Sequence, residues 1–158
     1  MAELPRSARR VEAAAQVLGL PIRILEMPES TRTAPQAAAA CGCALAQIVK
    51  SLVFRGAGSG APLLFLVSGA NRVDEKKVAV HVGEPLARAD ADFVRAVTGY
   101  AIGGVPPFGH ASALATFIDE DLLAHGEIWA AAGTPTCLFS TEPHALRTAI
   151  GATIIAVS

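Results

Sequence analysis

The sequence lacks any run of about 18 consecutive apolar residues, the length that a helix needs to cross a bilayer. We therefore expect no membrane-spanning helix and no membrane partner. The first ten residues contain no apolar stretch followed by small residues at a cleavage site, so we also expect no secretory signal. Cysteine is scarce, at positions 41, 43 and 137 only. This small, odd set argues against a disulfide framework and favours the reducing cytoplasm.

Charged residues are also scarce, at 17% of the 158 residues, and aromatic residues make up only 5%. Hydrophobic residues make up 52%, and 32 residues are alanine. A chain of this length and composition buries enough apolar surface to offset its conformational entropy, which excludes general disorder. We expect a single domain over residues 1–158.

The charge is unevenly distributed along the chain. Residues 1–55 carry seven Lys and Arg against four Asp and Glu, whereas residues 56–158 carry six against ten. The overall acidity, with a pI of about 6.4, argues against a DNA partner or a long contact with nucleic acid. A local contact of the first third with an anionic partner such as RNA, and simple solvation of a helix face, both remain open.

Capping residues and apolar runs divide the chain into short elements. Thr33, followed by Pro35 and Gln36, has the pattern of a capping box for a helix that Gly42 ends. Further helix starts are predicted at Ser7, Asp74, Asp90, Asp119 and Thr141, and strands at 22–26, 47–55, 63–67, 114–118, 127–132, 136–140 and 152–157. This irregular order predicts an α+β fold, with a mixed, partly closed, barrel-like β-sheet surrounded by helices.

Lys50 lies inside the apolar strand pattern QIVKSLVF at positions 47–54. Lysine is rare in such a run unless its amine points into a pocket or its stem lies along apolar surface. A functional amine and a lysine that discourages pairing at a strand edge are both compatible with the pattern.

The segment GGVPPFGH at positions 103–110 combines three glycines with two prolines. Proline fixes φ, and glycine permits a close approach of the backbone, so this composition favours a rigid loop that presents peptide groups to a ligand. The alternative is a purely structural turn.

Other patterns give weaker signals. The four histidines and the CGC motif at 41–43 lack the spacing of a metal site, and no Gly-x-Ser-x-Gly, Walker or Gly-x-Gly-x-x-Gly motif is present. We therefore expect no metal, no cofactor and no serine nucleophile. Arg72, Lys76 and Lys77 surround a predicted helix start, where they either bind phosphate or belong to a solvated face.

In its order of motifs the chain resembles the YbaK family of free-standing aminoacyl-tRNA deacylases, which are related to the editing domain of bacterial prolyl-tRNA synthetase. The matching segments are QIVKSLVF at 47–54, LFLVSGANRVDEKKV at 64–78, TGYAIGGVPPFGH at 98–110, and the C-terminal segments AAAGTPTCLFS and LRTAIGATIIAVS. The resemblance implies hydrolysis of the ester between a wrong amino acid and the 3′-terminal adenosine of a tRNA, which we expect to be tRNA-Pro or a related tRNA. It implies mischarged tRNA as the partner, with an aminoacyl-tRNA synthetase as a second candidate partner. The candidate pocket side chains are mostly small and polar, so we expect a small amino acid such as alanine, serine or threonine.

The resemblance also implies roles for individual residues. Lys50 matches the essential lysine of the family, and residues 103–106 match the loop that holds the aminoacyl end. The expected substrate-binding residues are Thr31, Thr33, Ser51, Ser68, Gly103, Gly104, Val105 and Pro106. Arg32 and Arg72 are expected to contact tRNA phosphates.

Two departures from the family pattern concern the substrate. Thr33 stands where the cysteine-specific branch has an aromatic residue, and His144 is displaced from the histidine position of the alanine-specific branch. The main alternative to a deacylase is a non-catalytic module that binds aminoacyl-tRNA or a synthetase. Lys50 together with an intact loop favours the enzyme, whereas a metal-dependent hydrolase lacks recognisable ligands.

Overall fold

The computed structural model describes residues 3–158. Its helices, numbered in chain order, are α1 Arg6–Leu18, α2 Ala34–Cys41, α3 Glu75–Val82, α4 Ala91–Thr98 and α5 Pro143–Ile150, with 3-10 turns at Leu45–Gln47 and Glu120–Ala124. Its strands are β1 Ile24–Glu26, β2 Val49–Gly56, β3 Pro62–Ser68, β4 Leu86–Arg88, β5 Ala115–Asp119, β6 Ile128–Ala131, β7 Cys137–Thr141 and β8 Thr153–Ile155. Across the described residues, every helix is too short or too polar to cross a bilayer.

The strands form two sheets. Five strands lie in the order β4-β2-β3-β5-β8, with antiparallel pairs at β4-β2-β3 and parallel pairs at β3-β5-β8. Three antiparallel strands form the second sheet in the order β1-β7-β6. A single parallel bridge between Ile48 and Trp129 connects the sheets. This arrangement confirms the predicted α+β class with a mixed, partly closed sheet.

Strand β3 is the centre of the core, as its continuous apolar run predicts. Leu64 and Leu66 point into the larger hydrophobic cluster beneath α1 and α5. Phe65 points to the opposite face, where its ring stacks on Phe117 at a centroid distance of 5.1 Å. Because both faces of β3 are buried, the register of its neighbour β2 is held firmly.

Strand β2 has one edge that is only partly paired. Gly69 N–H donates to Ile48 C=O and Gly56 N–H donates to Ala61 C=O, so the even-numbered residues of β2 direct their peptide groups toward β3. The odd-numbered residues point the other way, where β4 pairs only with Phe54–Gly56. Within residues 3–158, no strand ladder covers this side of residues 49–53, which we call the open edge of β2.

Most of the helix caps predicted from the sequence are confirmed. Thr33 and Gln36 form the expected capping box, and Asp74 and Asp90 each accept a hydrogen bond from a backbone N–H of the helix that follows. The start at Asp119 is confirmed as well, since its carboxylate accepts from Asp121 N–H.

Two predicted caps were wrong. Helix α1 begins at Arg6 after Pro5, so Ser7 is inside the helix, because proline already has the φ that a helix entry requires. The last helix is capped by the Glu142 carboxylate, which accepts from His144 N–H and Ala145 N–H, while Thr141 remains buried in β7.

The loop after α4 is anchored by backbone contacts. Gly104 N–H donates to Ala101 C=O at 3.0 Å, and Gly133 N–H donates to Gly104 C=O at 2.9 Å. A Cβ atom on Gly104 would lie 2.9 Å from backbone atoms of Gly133 and Thr134. The loop therefore lies against the end of β6 with no room for a side chain at this position.

Gly104→Ala is expected to lower the free energy of unfolding by about 1–3 kcal/mol, because backbone rather than a flexible side chain has to move. Gly126→Ala is the matched control, since a Cβ there meets no atom within 4 Å, and its change is expected to stay within about 0.5 kcal/mol. Urea denaturation of both variants measures the difference. Equal stability of the two variants would contradict the packing described for the loop.

Candidate functional site

A cavity of about 240 Å³ lies where the two sheets diverge after the Ile48–Trp129 bridge. The open edge of β2 forms one wall, β6 and β7 form the opposite wall, and the start of α2 and the loop after α4 close the ends. The lining residues are Thr31, Arg32, Thr33, Ala34, Ala37, Ile48, Val49, Lys50, Ser51, Leu52, Ile102, Gly103, Val105, Trp129, Ala131 and Leu138.

Seven of the predicted site residues line this cavity together. They come from three separate segments: Thr31, Arg32 and Thr33; Lys50 and Ser51; Gly103 and Val105. The other four lie outside its lining. Ser68 is buried beneath the cavity, Gly104 and Pro106 are buried behind Gly103 and Val105, and Arg72 is exposed in the turn near Lys50.

Lys50 is half buried, and its ammonium donates a hydrogen bond to the backbone carbonyl of Asn71. Burial lowers the pKa of Lys50 below its ordinary value, and the nearby Arg72 charge lowers it further, while the charge of Asp119 opposes both effects. An ammonium has three N–H donors, so two of them remain for a ligand. Lys50 thus lies on the incompletely paired segment of β2, but its amine is fixed by a specific contact.

The three hydroxyl-bearing residues of the lining differ in how their side chains are used. Thr31 Oγ1 donates to Pro135 C=O at 2.9 Å, and Thr33 Oγ1 accepts from Gln36 N–H at 3.3 Å as the helix cap. Ser51 Oγ is buried and has no hydrogen-bond partner among residues 3–158. Ser51 is therefore the one of these three residues whose hydroxyl is not used by a described protein group, and its peptide group faces the open edge.

The loop contributes shape rather than charge to the cavity. Gly103 has a φ of +93°, and the Arg32 side chain lies so close that a Cβ on Gly103 would be 2.6 Å from Arg32 Cγ. A glycine is required here for both reasons. Behind it, the His110 ring donates from Nε2 to Pro106 C=O at 2.7 Å. Burial lowers the pKa of His110, which favours the neutral ring, and this bond adds to the backbone contacts that hold the loop.

Part of the site carries no signal in the sequence. Ile102, Trp129 and Leu138 form much of the apolar wall, but they are ordinary hydrophobic residues in strand or loop patterns. They line the cavity only because the two sheets diverge, which is a feature of tertiary structure. His110 was noted in sequence only as lacking metal spacing, so its contact with the loop was also missed.

Among residues 3–158, no three His, Cys, Asp or Glu side chains are grouped to hold a metal ion. Burial and the neighbouring Cys43 raise the pKa of Cys41 to about 12, which keeps this thiol protonated.

Two other cavities are present. One of about 490 Å³ lies between α1, α5 and residues 107–116 and is lined mostly by apolar side chains. Another of about 210 Å³ adjoins the site and shares with it Ser51, Leu52, Ile102, Gly103 and Val105. Arg88 lies at this adjoining cavity, so the two cavities together form a cleft with positively charged residues at both ends.

Comparison with known proteins gives a consistent result. The sequence model of the aminoacyl-tRNA editing domain matches residues 28–149. The chain is 32% identical over 123 residues to the uncharacterized protein YwhH of Bacillus subtilis (strain 168), covering 78% of each chain. It is 48% identical to a solved structure described as a proposed trans-editing enzyme for prolyl tRNA synthetase, with a TM-score of 0.93 and 99% of each chain covered. The solved hypothetical protein APE2540 is 30% identical, with a TM-score of 0.87, over 94% of this chain and 98% of that one.

Ser51→Ala is expected to leave the free energy of unfolding unchanged or to raise it by up to about 1 kcal/mol, because it removes a buried hydroxyl without a partner. Ser68→Ala is the matched control. Ser68 Oγ donates to Ala46 C=O at 2.8 Å, and its loss is expected to cost about 1–2 kcal/mol. Thermal and urea denaturation report both values. A Ser51→Ala variant as destabilised as Ser68→Ala would show that Ser51 Oγ is bonded in the free protein.

Proposed function

The chain belongs to the aminoacyl-tRNA editing domain family, and from this premise we propose that it is a trans-editing hydrolase for mischarged tRNA. Its reaction is the hydrolysis of the ester that joins a small amino acid to the 3′-terminal adenosine of tRNA-Pro or a related tRNA. The observation that carries the proposal is the cavity in which a fixed ammonium, an open strand edge and a glycine-proline loop meet.

Each of these three elements has a role in the proposed reaction. The free N–H donors of Lys50 hold either the ester carbonyl oxygen or the terminal phosphate by a charge-assisted hydrogen bond. The Ser51 peptide group at the open edge offers an N–H donor and a C=O acceptor, which orient the carbonyl oxygen and the α-ammonium of the aminoacyl group. The loop at Gly103–Pro106 keeps the terminal adenosine against this edge.

The chemical step is the attack of water on the ester carbonyl carbon. The bond to the ribose oxygen breaks, that oxygen takes up a proton, and free amino acid and uncharged tRNA are released. The resemblance to the YbaK family implies that the ribose 2′-hydroxyl of the substrate helps to activate the water. An ester is already activated, so orientation and stabilisation of the developing oxyanion are sufficient contributions from the protein.

The cavity favours small amino acids. Its volume of about 240 Å³ has to hold the aminoacyl group together with part of the ribose, and its walls are largely apolar. In the proposed complex, Ser51 Oγ pairs with the hydroxyl of a serine or threonine substrate, because burial of that hydroxyl without a partner would cost about 1–3 kcal/mol. We therefore propose that alanine, serine or threonine is removed and that proline is rejected by the shape of its rigid ring, which carries no hydroxyl to pair with Ser51.

Two exposed arginines flank the site and are candidate contacts for tRNA. Arg32 lies at the mouth of the cavity beside Gly103, and Arg72 lies in the turn beside Lys50. With a net charge of -1, the chain has no long basic track, so tRNA binding is expected to be local and sensitive to salt. The related protein described as a trans-editing enzyme for prolyl tRNA synthetase supports a synthetase as a second partner. The small, odd set of three cysteines supports the reducing cytoplasm as the place of reaction.

Lys50→Ala is expected to reduce single-turnover deacylation about 100-fold or more, because it removes a charge-assisted donor at the reacting ester. Arg95→Ala is the matched control: it removes an exposed cation from α4, away from the cavity. Circular dichroism checks that both variants remain folded. If Lys50→Ala keeps most of its activity, the lysine is a structural feature of the strand; if the wild type binds mischarged tRNA without hydrolysis, the protein is a binding module.

A panel of tRNA charged with Ala, Ser, Thr, Cys or Pro tests the substrate class. Ala, Ser and Thr esters are expected to be cleaved faster than the Pro ester at equal concentration. In the Ser51→Ala variant, cleavage of the Ser and Thr esters should fall about 3- to 10-fold relative to the Ala ester, the equivalent of one lost hydrogen bond. Cleavage of the Cys ester alone would contradict the proposed pocket.

A further inference from the structure

Asp119, at the end of β5, is a buried carboxylate, with only 1% of its surface exposed. Its Oδ1 atom accepts from Asp121 N–H at 2.9 Å, which is the capping contact. Its Oδ2 atom accepts from Ser68 N–H at 3.0 Å and from Asn71 Nδ2 at 2.8 Å. Capping therefore explains only one of the two oxygens, and the other is directed at the turn that follows β3.

That turn connects Asp119 to the ammonium of Lys50. Asn71 N–H donates to Ser68 C=O at 2.9 Å, which closes the turn, and the Asn71 side-chain amide is held by Asp119 and by Asp121, each at 2.8 Å. The backbone carbonyl of the same residue accepts the hydrogen bond from Lys50 Nζ. Because side chain and carbonyl belong to one residue, fixing the amide also fixes the direction of the carbonyl.

We propose that Asp119 is a positioning residue for Lys50 that acts through Asn71. The Asn71 carbonyl holds the lysine ammonium in the cavity, so that the remaining N–H donors of Lys50 point toward the substrate. The inference rests on the proposed function only for the statement that Lys50 acts in deacylation. The contacts from Asp119 through Asn71 to Lys50 do not depend on which reaction the protein catalyses.

Several charges influence the Lys50 ammonium. Arg72 disfavours its protonated form, as burial does, and Asp119 favours it. Arg32 lines the same cavity, and Asp121 lies behind Asn71. Loss of the Asp119 charge therefore shifts the titration of Lys50 to lower pH, and loss of the Arg72 charge shifts it to higher pH.

The first experiment follows the Lys50 side chain directly. The 13Cε signal of Lys50 in the full chain, assigned with Lys50→Arg, is titrated by NMR in the wild type and in Asp119→Asn. The control, Glu120→Gln, makes the same change at an exposed neighbour. We expect a shift to lower pH in Asp119→Asn, no shift in Glu120→Gln, and the opposite shift in Arg72→Gln. An unchanged Lys50 titration in Asp119→Asn would overturn the proposal.

The second experiment measures deacylation and also covers the case in which Asp119→Asn does not fold. Asn71→Ala keeps the backbone carbonyl but frees the turn from both carboxylates, and its single-turnover rate is expected to fall at least about tenfold while Glu120→Gln stays at the wild-type rate. Unchanged rates and an unchanged Lys50 titration in a folded Asn71→Ala protein would refute the positioning role. If the wild type hydrolyses no ester but the titrations shift as stated, the positioning of Lys50 is supported and the proposed function fails.

Discussion

The incomplete pairing of β2 is the constraint on which the site depends. This strand is bonded to β3 along its whole length, but its other edge meets β6 only at Ile48 and β4 only from Phe54 onward. Between these points the two sheets separate, and the gap becomes the cavity. A fully paired β2 would bury Ser51 against another strand and leave no access to the peptide groups that face the cleft.

A strand with an exposed edge normally invites pairing with another chain. Here residues of α2, β6 and the loop after α4 line the cavity beside this edge, and they occupy the place of a pairing strand. The firm burial of β3, with Phe65 and Leu66 fully covered on opposite faces, keeps β2 in register without help from its open side. Because pairing with β3 holds one edge of β2 in place, the peptide groups on its other edge can remain unpaired and accessible.

The sequence predicted several residues that meet at the cavity, but it did not predict how the cavity is built. Lys50 within an apolar strand and the glycine-proline loop stood out because their residue types contradict their local pattern, and both line the cavity. Asp119 was predicted only as a cap, since a sequence shows a local partner two residues away and not Ser68 or Asn71, about fifty positions earlier. Strand β4 at Leu86–Arg88 was not predicted, because its three residues include no β-branched or aromatic side chain. Ser7 and Thr141 were wrong as caps because the neighbouring residues Pro5 and Glu142 begin those helices instead.

In the proposed reaction the substrate is oriented by main-chain groups of the cleft, and this has an evolutionary consequence. A point mutation replaces a side chain, but it leaves the N–H and C=O of residue 51 where the strand places them. Side chains such as Ser51, Thr33 and Ile102 can therefore be exchanged, which changes the fit of a ligand, while the groups that orient it persist. A domain built in this way can acquire a new preference through one or two substitutions, without first losing the arrangement that makes binding useful.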